Sequence, residues 1–312
     1  MPILTLASAT NDHPSLGKPQ TALGRVWRRF RKHPGALAGC IVFAALVLAV
    51  LLAPLSPYDP NASDLAVRFQ PPSLAHPMGT DGLGRDLMTR ALYGGRISLN
   101  VGLQVVAITL TIGVTVGAVA GYFGGWLDTV LMRLTDAMLS MPSLLVLILL
   151  SAILREVNSA YFEQNNVLII ALVIGLLSWM TFARLVRAAF LVLRELDYVT
   201  AARALGGSPA FIIFRHILPN AIGPVIVEAT LELGYAIIEE SGLSFLGFGI
   251  QPPTPSWGNL LSNAQEYLLK YPWLALFPGL MIFMAIISVN YIGDGLRDAV
   301  DPYKVLEKVG EV

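Results

Sequence analysis

Four glutamates stand where water should be scarce. Glu228, Glu232, Glu239 and Glu240 lie within an otherwise apolar run that covers Asn220–Ser241. The first three fall at i, i+4 and i+11, close to one face of a helix. A charge at mid-bilayer costs about 2.5–3.5 kcal/mol on insertion scales. These carboxylates are therefore expected to turn away from lipid, towards an aqueous path or a contact with another subunit. Glu239 and Glu240 have a plainer alternative, which is simply to reach the aqueous interface. Other reactive chemistry is sparse. His13, His33, His76 and His216 show no ligand spacing, so no metal site is expected. Cys40 is the single cysteine and reads as a small apolar filler. The sequence contains no GxxxxGK[ST] segment, so the chain is not expected to hydrolyse ATP itself. A membrane enzyme would need His, Asp or Ser converging on the glutamates, and the spacing offers none.

The elements that must position these carboxylates are membrane helices. Of the 312 residues, 55% are hydrophobic and 13% charged, about half the charge of an average soluble domain. The formal net charge is zero, and no basic patch continues beyond the N-terminal segment, so a nucleic-acid partner is not expected. Six stretches are apolar enough over roughly 20 residues to cross a bilayer: Gly35–Leu55, Ser98–Phe123, Leu134–Leu154, Val167–Val186, Asn220–Ser241 and Trp273–Ile292. Helices are the expected spanning form, because unpaired backbone groups are excluded from lipid and no alternating strands occur. The fold class is thus an all-α polytopic membrane protein. With the N-terminus inside, 15 of the 21 Lys and Arg residues fall on cytoplasmic segments and 6 on outer ones, which puts both termini in the cytoplasm.

The expected organisation is a cytoplasmic tail (1–34), a first uncleaved span (35–55), a long outer loop (56–97), a core (98–300) and a cytoplasmic tail (301–312). Within the tail, Thr21–His33 mixes Leu23, Val26, Trp27 and Phe30 with five cations, which reads either as a helix lying on anionic lipid or as a plain cationic flank of the first span. Gly113, Gly117 and Gly121 recur every fourth residue, a stripe that lets another helix approach closely. Pro142 and Pro278 are expected to kink the third and sixth spans. Asp86 and Arg90 have the spacing of a helical salt bridge, and Trp257 with Pro252, Pro253 and Pro255 should stiffen the second outer loop.

The cytoplasmic loop 187–218 holds LDYVTAARALGGSPAFIIFRHILPN from Leu196 to Asn220. Tyr198 to Leu205 is helix-forming, Gly206-Gly207 ends the helix, and Ser208 with Pro209 caps the next one. A solvated linker would have no use for Tyr198, Val199, Leu205, Phe211 and Ile213. They suggest docking on a protein.

At these residues the sequence resembles the permease subunits of ATP-binding-cassette importers. Their signature is Glu-Ala-Ala, three residues, Gly, nine residues, then Ile-x-Leu-Pro. Ala201, Ala202, Gly206, Leu218 and Pro219 match it, while Thr200 replaces the usual Glu and His216 the usual Ile. The forms DYVTAARALG and RHILPN resemble the dipeptide, oligopeptide and nickel branch. So do HPMGTDGLGRDLMTRALYGGRISL (His76–Leu99), LDTVLMRLTDAMLSMPSLL (Leu127–Leu145), ESGLSFLGFGIQPPTPSWG (Glu240–Gly258) and GDGLRDAVDP (Gly293–Pro302), all like C-type permeases. The ending Tyr303–Val312 departs from the short basic tail of that type.

The resemblance implies a type I importer permease in the bacterial inner membrane. A second, homologous permease would complete the path, and two ATP-binding subunits would bind below. A periplasmic or lipid-anchored binding protein would deliver substrate. No cofactor is implied for this chain, because ATP and Mg would belong to the partner subunits. The first loop helix would be the coupling helix, seated in an ATPase groove through Tyr198, Ala201, Ala202, Leu205 and Gly206. Di- or oligopeptides are the implied solutes, with nickel chelates and glutathione as alternatives. An ion-gradient-driven transporter would show repeated halves, and none is evident.

Overall fold

The computed structural model describes residues 22–157 and 159–300. The expected tail 301–312, Thr21 and the residues before it lie outside them. Among the described residues the architecture is helical, with one isolated bridge between Thr80 and Asp86.

Helix α1 (Ala22–Phe30) is short and two-faced. Phe30 is buried against Ala36 and Ala299, while Trp27 is exposed with Arg31 over its ring. Helix α2 (Pro34–Leu51) starts where His33 Nδ1 accepts the Ala36 amide at 3.0 Å, with Pro34 at the first helical position. Its 18 residues reach about 27 Å. Helix α3 (Leu87–Phe123) begins well before the expected Ser98. Asp86 caps it by accepting the Thr89 amide at 2.8 Å, and Leu87 and Ala91 are buried beneath the outer loop. The second span therefore extends out of the apolar layer, and the loop 56–97 ends early.

The third span is broken. Helices α4 (Gly125–Leu139) and α5 (Ser143–Val157) meet at 86° across Ser140–Pro142. The proline explains the break, since it donates no amide and its ring clashes with the preceding turn. Among the described residues, five helices are long and apolar enough to span a membrane, or six if the bent pair counts as one. Helix α6 (Ser159–Leu193) is interrupted at Asn165 and runs past the expected end at Val186. Helix α7 (Asp197–Ala204) follows, then α8 (Pro209–Ile212), which continues through a π turn, Ile213–Ile217, into α9 (Leu218–Phe245). The second loop helix is thus the root of the fifth span, not a separate partner of α7. Helix α10 (Trp257–Ala264) carries a capping box in which Ser256 and Asn259 satisfy each other's amides. Helix α11 (Trp273–Val300) passes through Pro278 without interruption.

Helix α3 lies along α6 over most of its length, and α9 packs against both. Helix α11 joins α9 to α2. The glycine stripe permits the first of these contacts. A Cβ on Gly117 would fall 2.5 Å from the Ala183 carbonyl oxygen, one on Gly121 would fall 2.6 Å from Phe190 Cβ, and Gly113 faces Phe182. Phe182, Ala183, Val186 and Phe190 are fully buried along that seam.

Candidate functional site

Helix α7 is built to present one face. Val199 is fully buried with Phe190, Ile212 and Ile217, which anchors the helix to the ends of α6 and α9. Ala202 turns partly inward onto the same cluster, so it supports the helix more than it faces outward. Tyr198, Ala201, Leu205 and Gly206 are exposed, with Leu205 at 89% of its maximum. Gly206 adopts φ +81°, and the Gly207 amide reaches back to the Ala202 carbonyl at 2.9 Å. Only the left-handed backbone makes that turn, which favours glycine. Ser208 Oγ then accepts the Phe211 amide at 3.3 Å. Phe211 and Phe214 add 52% and 69% exposed rings beside α7. An exposed apolar patch rimmed by polar groups marks a protein or membrane interaction surface.

Several residues hold this surface in place that spacing alone did not single out. Asn220 Nδ2 donates to the His216 carbonyl at 2.6 Å and to Tyr198 Oη at 3.3 Å, tying α7 to the start of α9. The His216 ring lies edge-on to Phe211, centroids 5.2 Å apart, which accounts for an aromatic where an aliphatic side chain was expected. Arg194 Nη1 donates to the Gly121 carbonyl at 2.8 Å and closes the C-terminus of α3. Arg187 forks onto Asp128, and Arg184 pairs with Asp136. Both pairs lock α4 to the end of α6 just before α7. Opposite charges in neighbouring apolar helices were the available signal.

The four glutamates separate into two environments. Glu228 is half-buried, with Arg297 of α11 as the cation acting on it. Glu232 is 6% exposed. Glu239 is half-buried and accepts a 3.4 Å bond from Ser178 of α6. Glu240 departs from the expectation of a path or subunit contact. It is fully buried and accepts from Ser98 and Ser244 at 2.7 Å each and from Ser241 at 3.5 Å. Ser98 in turn accepts the Trp257 amide at 3.2 Å, and Ser244 the Ile250 amide at 2.9 Å. Glu240 therefore fastens the outer loop to α3 and α9 and has no surface left for solute.

At the end of the bundle away from α7, polar groups are also drawn onto partners within the chain. Trp257 is fully buried and its Nε1 donates to the Ala91 carbonyl at 2.9 Å. Asp86 and Arg90 do not pair with each other. Asp86 contacts His76 at 2.9 Å and caps α3, while buried Arg90 donates to the Pro60 carbonyl at 2.7 Å and approaches Asp81 at 3.7 Å. The N-cap role takes the Asp86 carboxylate away from the i+4 position.

Long apolar helices, a short helix held off one end with apolar groups exposed, and carboxylates inside the bundle define a multi-pass membrane transport subunit. Residues 113–304 match the family described as binding-protein-dependent transport system inner membrane component. Residues 21–72 match the N-terminal TM domain of oligopeptide transport permease C. The chain belongs to the binding-protein-dependent inner membrane components and is a multi-pass protein of the bacterial inner membrane. It is 42% identical over 280 residues to a dipeptide transport system permease protein of Alkalihalophilus pseudofirmus, covering 88% of each chain. It is also 42% identical over 304 residues to a putative peptide transport system permease protein of Brucella abortus, covering 97% of this chain and 99% of that one. A putative peptide permease protein of Brucella suis is 41% identical over 283 residues, covering 90% and 91%.

Proposed function

We propose that the chain is a permease subunit of an ATP-driven peptide importer. It forms half of the path with a second, homologous permease, takes solute from a binding protein outside and receives motion from two ATPases inside. Both termini face the cytoplasm, and α1 rests on the inner membrane surface. In this reading α7 seats in a groove of an ATPase subunit through Tyr198, Ala201, Leu205 and the turn at Gly206. The pose of α7 supports it above all. One residue, Val199, is sunk into the bundle, and the opposite face is left bare.

Because Asp128–Arg187 and the glycine seam join α4, α3 and α6 into one body, a push on α7 moves these helices together. That is the rigid-body mode on which alternating access depends. Glu228, Glu232 and Glu239 line the path or its contact with the second permease, where a carboxylate also attracts a peptide's terminal ammonium. Peptides are favoured as solute by the relatives, whose similarity runs almost end to end. The test is uptake of a labelled dipeptide by proteoliposomes holding the whole transporter and its binding protein. Uptake should require ATP inside the motor compartment. Uptake driven by a proton gradient without ATP contradicts the reading.

A further inference from the structure

A groove of about 360 Å³ runs between α2, α3 and α9 on the outside of the bundle. It is lined by Phe43 and Val47 of α2, Arg96, Asn100 and Leu103 of α3, and Leu233 of α9. Its depth follows from α2. Gly95 packs so closely on Val50 that a Cβ there would fall 2.6 Å from the valine methyl. Arg96 is therefore level with the last turn of α2, whose 18 residues match about 30 Å of hydrocarbon. Phe43 lies about 10 Å deeper along the same helix. The groove thus begins where phosphates lie and descends among acyl chains.

The charge at its mouth has no acidic partner among the described residues. None of the ion pairs among the described residues uses Arg96, and its side chain is exposed. Its guanidinium is held 5.8 Å from the Tyr93 ring centroid, an aromatic of the type that marks a membrane interface. A cation above an apolar slot complements one kind of molecule, an anionic head joined to a long apolar chain.

We propose that this groove holds one phospholipid, with its phosphate on Arg96 and Asn100 and an acyl chain lying between Phe43, Val47, Leu103 and Leu233. The seated lipid fills the space between α2 and α3, whose mutual contact is slight although α2 lies along α11, and adds to the packing of Phe43, Val47 and Leu233 on the core.

The test is native mass spectrometry of the complete transporter in mild detergent, titrated with phosphatidylglycerol. The unaltered complex should retain one phospholipid per copy of this chain. Arg96→Gln should weaken its retention about tenfold, the loss of a charge-assisted contact. Leu103→Trp, which fills the groove from an exposed position, should abolish it while leaving the thermal midpoint of the complex unchanged. Retention equal to the unaltered complex in both variants overturns the proposal. So does a photoreactive side chain at position 103 that joins to another protein subunit instead of lipid.

Discussion

The two ends of the bundle differ in how far their polar groups are drawn inside and in what carries their exposed apolar groups. At the end away from α7, Trp257, Arg90, Asp86 and Glu240 are buried and find partners within the chain. At the end bearing α7, Leu205, Phe211, Phe214 and Tyr198 stay exposed together on α7 and the segment after it, whereas the fully exposed leucines of the other end, Leu74 and Leu269, stand on separate loop segments. The difference teaches where the molecule is finished and where it is not. A buried polar network favours one geometry, because leaving its members unpaired is costly. An open apolar face rimmed by polar groups marks a place where something else covers it.

The strongest way to break this contrast is at the outer end. Trp257→Ala removes a fully buried ring together with its bond to Ala91. It should destabilise the subunit by about 3–5 kcal/mol, read as a large drop in the thermal midpoint of the purified transporter. Glu240→Ala should follow at about 2–3 kcal/mol, because Ser98 and Ser244 lose their buried acceptor. Glu239→Gln sharpens that comparison. Its neighbour in sequence has only one long bond to Ser178, so the midpoint should hold while transport of labelled dipeptide falls. Equal destabilisation by the two would erase the distinction drawn between them.

Which parts of this were legible beforehand follows the same division. Span positions, the Gly206 turn, the Ser208 cap and the glycine seam are local patterns, and short-range chemistry dictates them. The 86° break at Pro142 was foreshadowed only as a kink, because the angle depends on how α5 packs on α6. Glu240 was misjudged for a related reason. One helical position separates it from Glu239, yet that step of about 100° turns it from Ser178 towards three serines. The partners Ser98 and Trp257 lie 142 and 159 residues from the groups they bind, and no periodicity reveals such pairings. Asp86 and Arg90 obeyed the spacing for a helical pair, but capping at Thr89 and the Pro60 carbonyl outcompeted it.

A smaller effect is expected where α7 is held to the bundle. Asn220→Ala removes the bonds to Tyr198 and His216. Loss of about 1 kcal/mol there should speed hydrogen exchange in residues 197–204 roughly fivefold, with global stability little changed.

The most direct measurement is capture of the assembled complex with Leu205→Asp. That side chain touches little of its own subunit, so folding should change by no more than about 0.5 kcal/mol. The account predicts an unchanged thermal midpoint of the isolated permease pair and loss of the ATP-binding subunits from the captured material. Full recovery of those subunits, with ATP turnover still stimulated by the loaded binding protein, would contradict it.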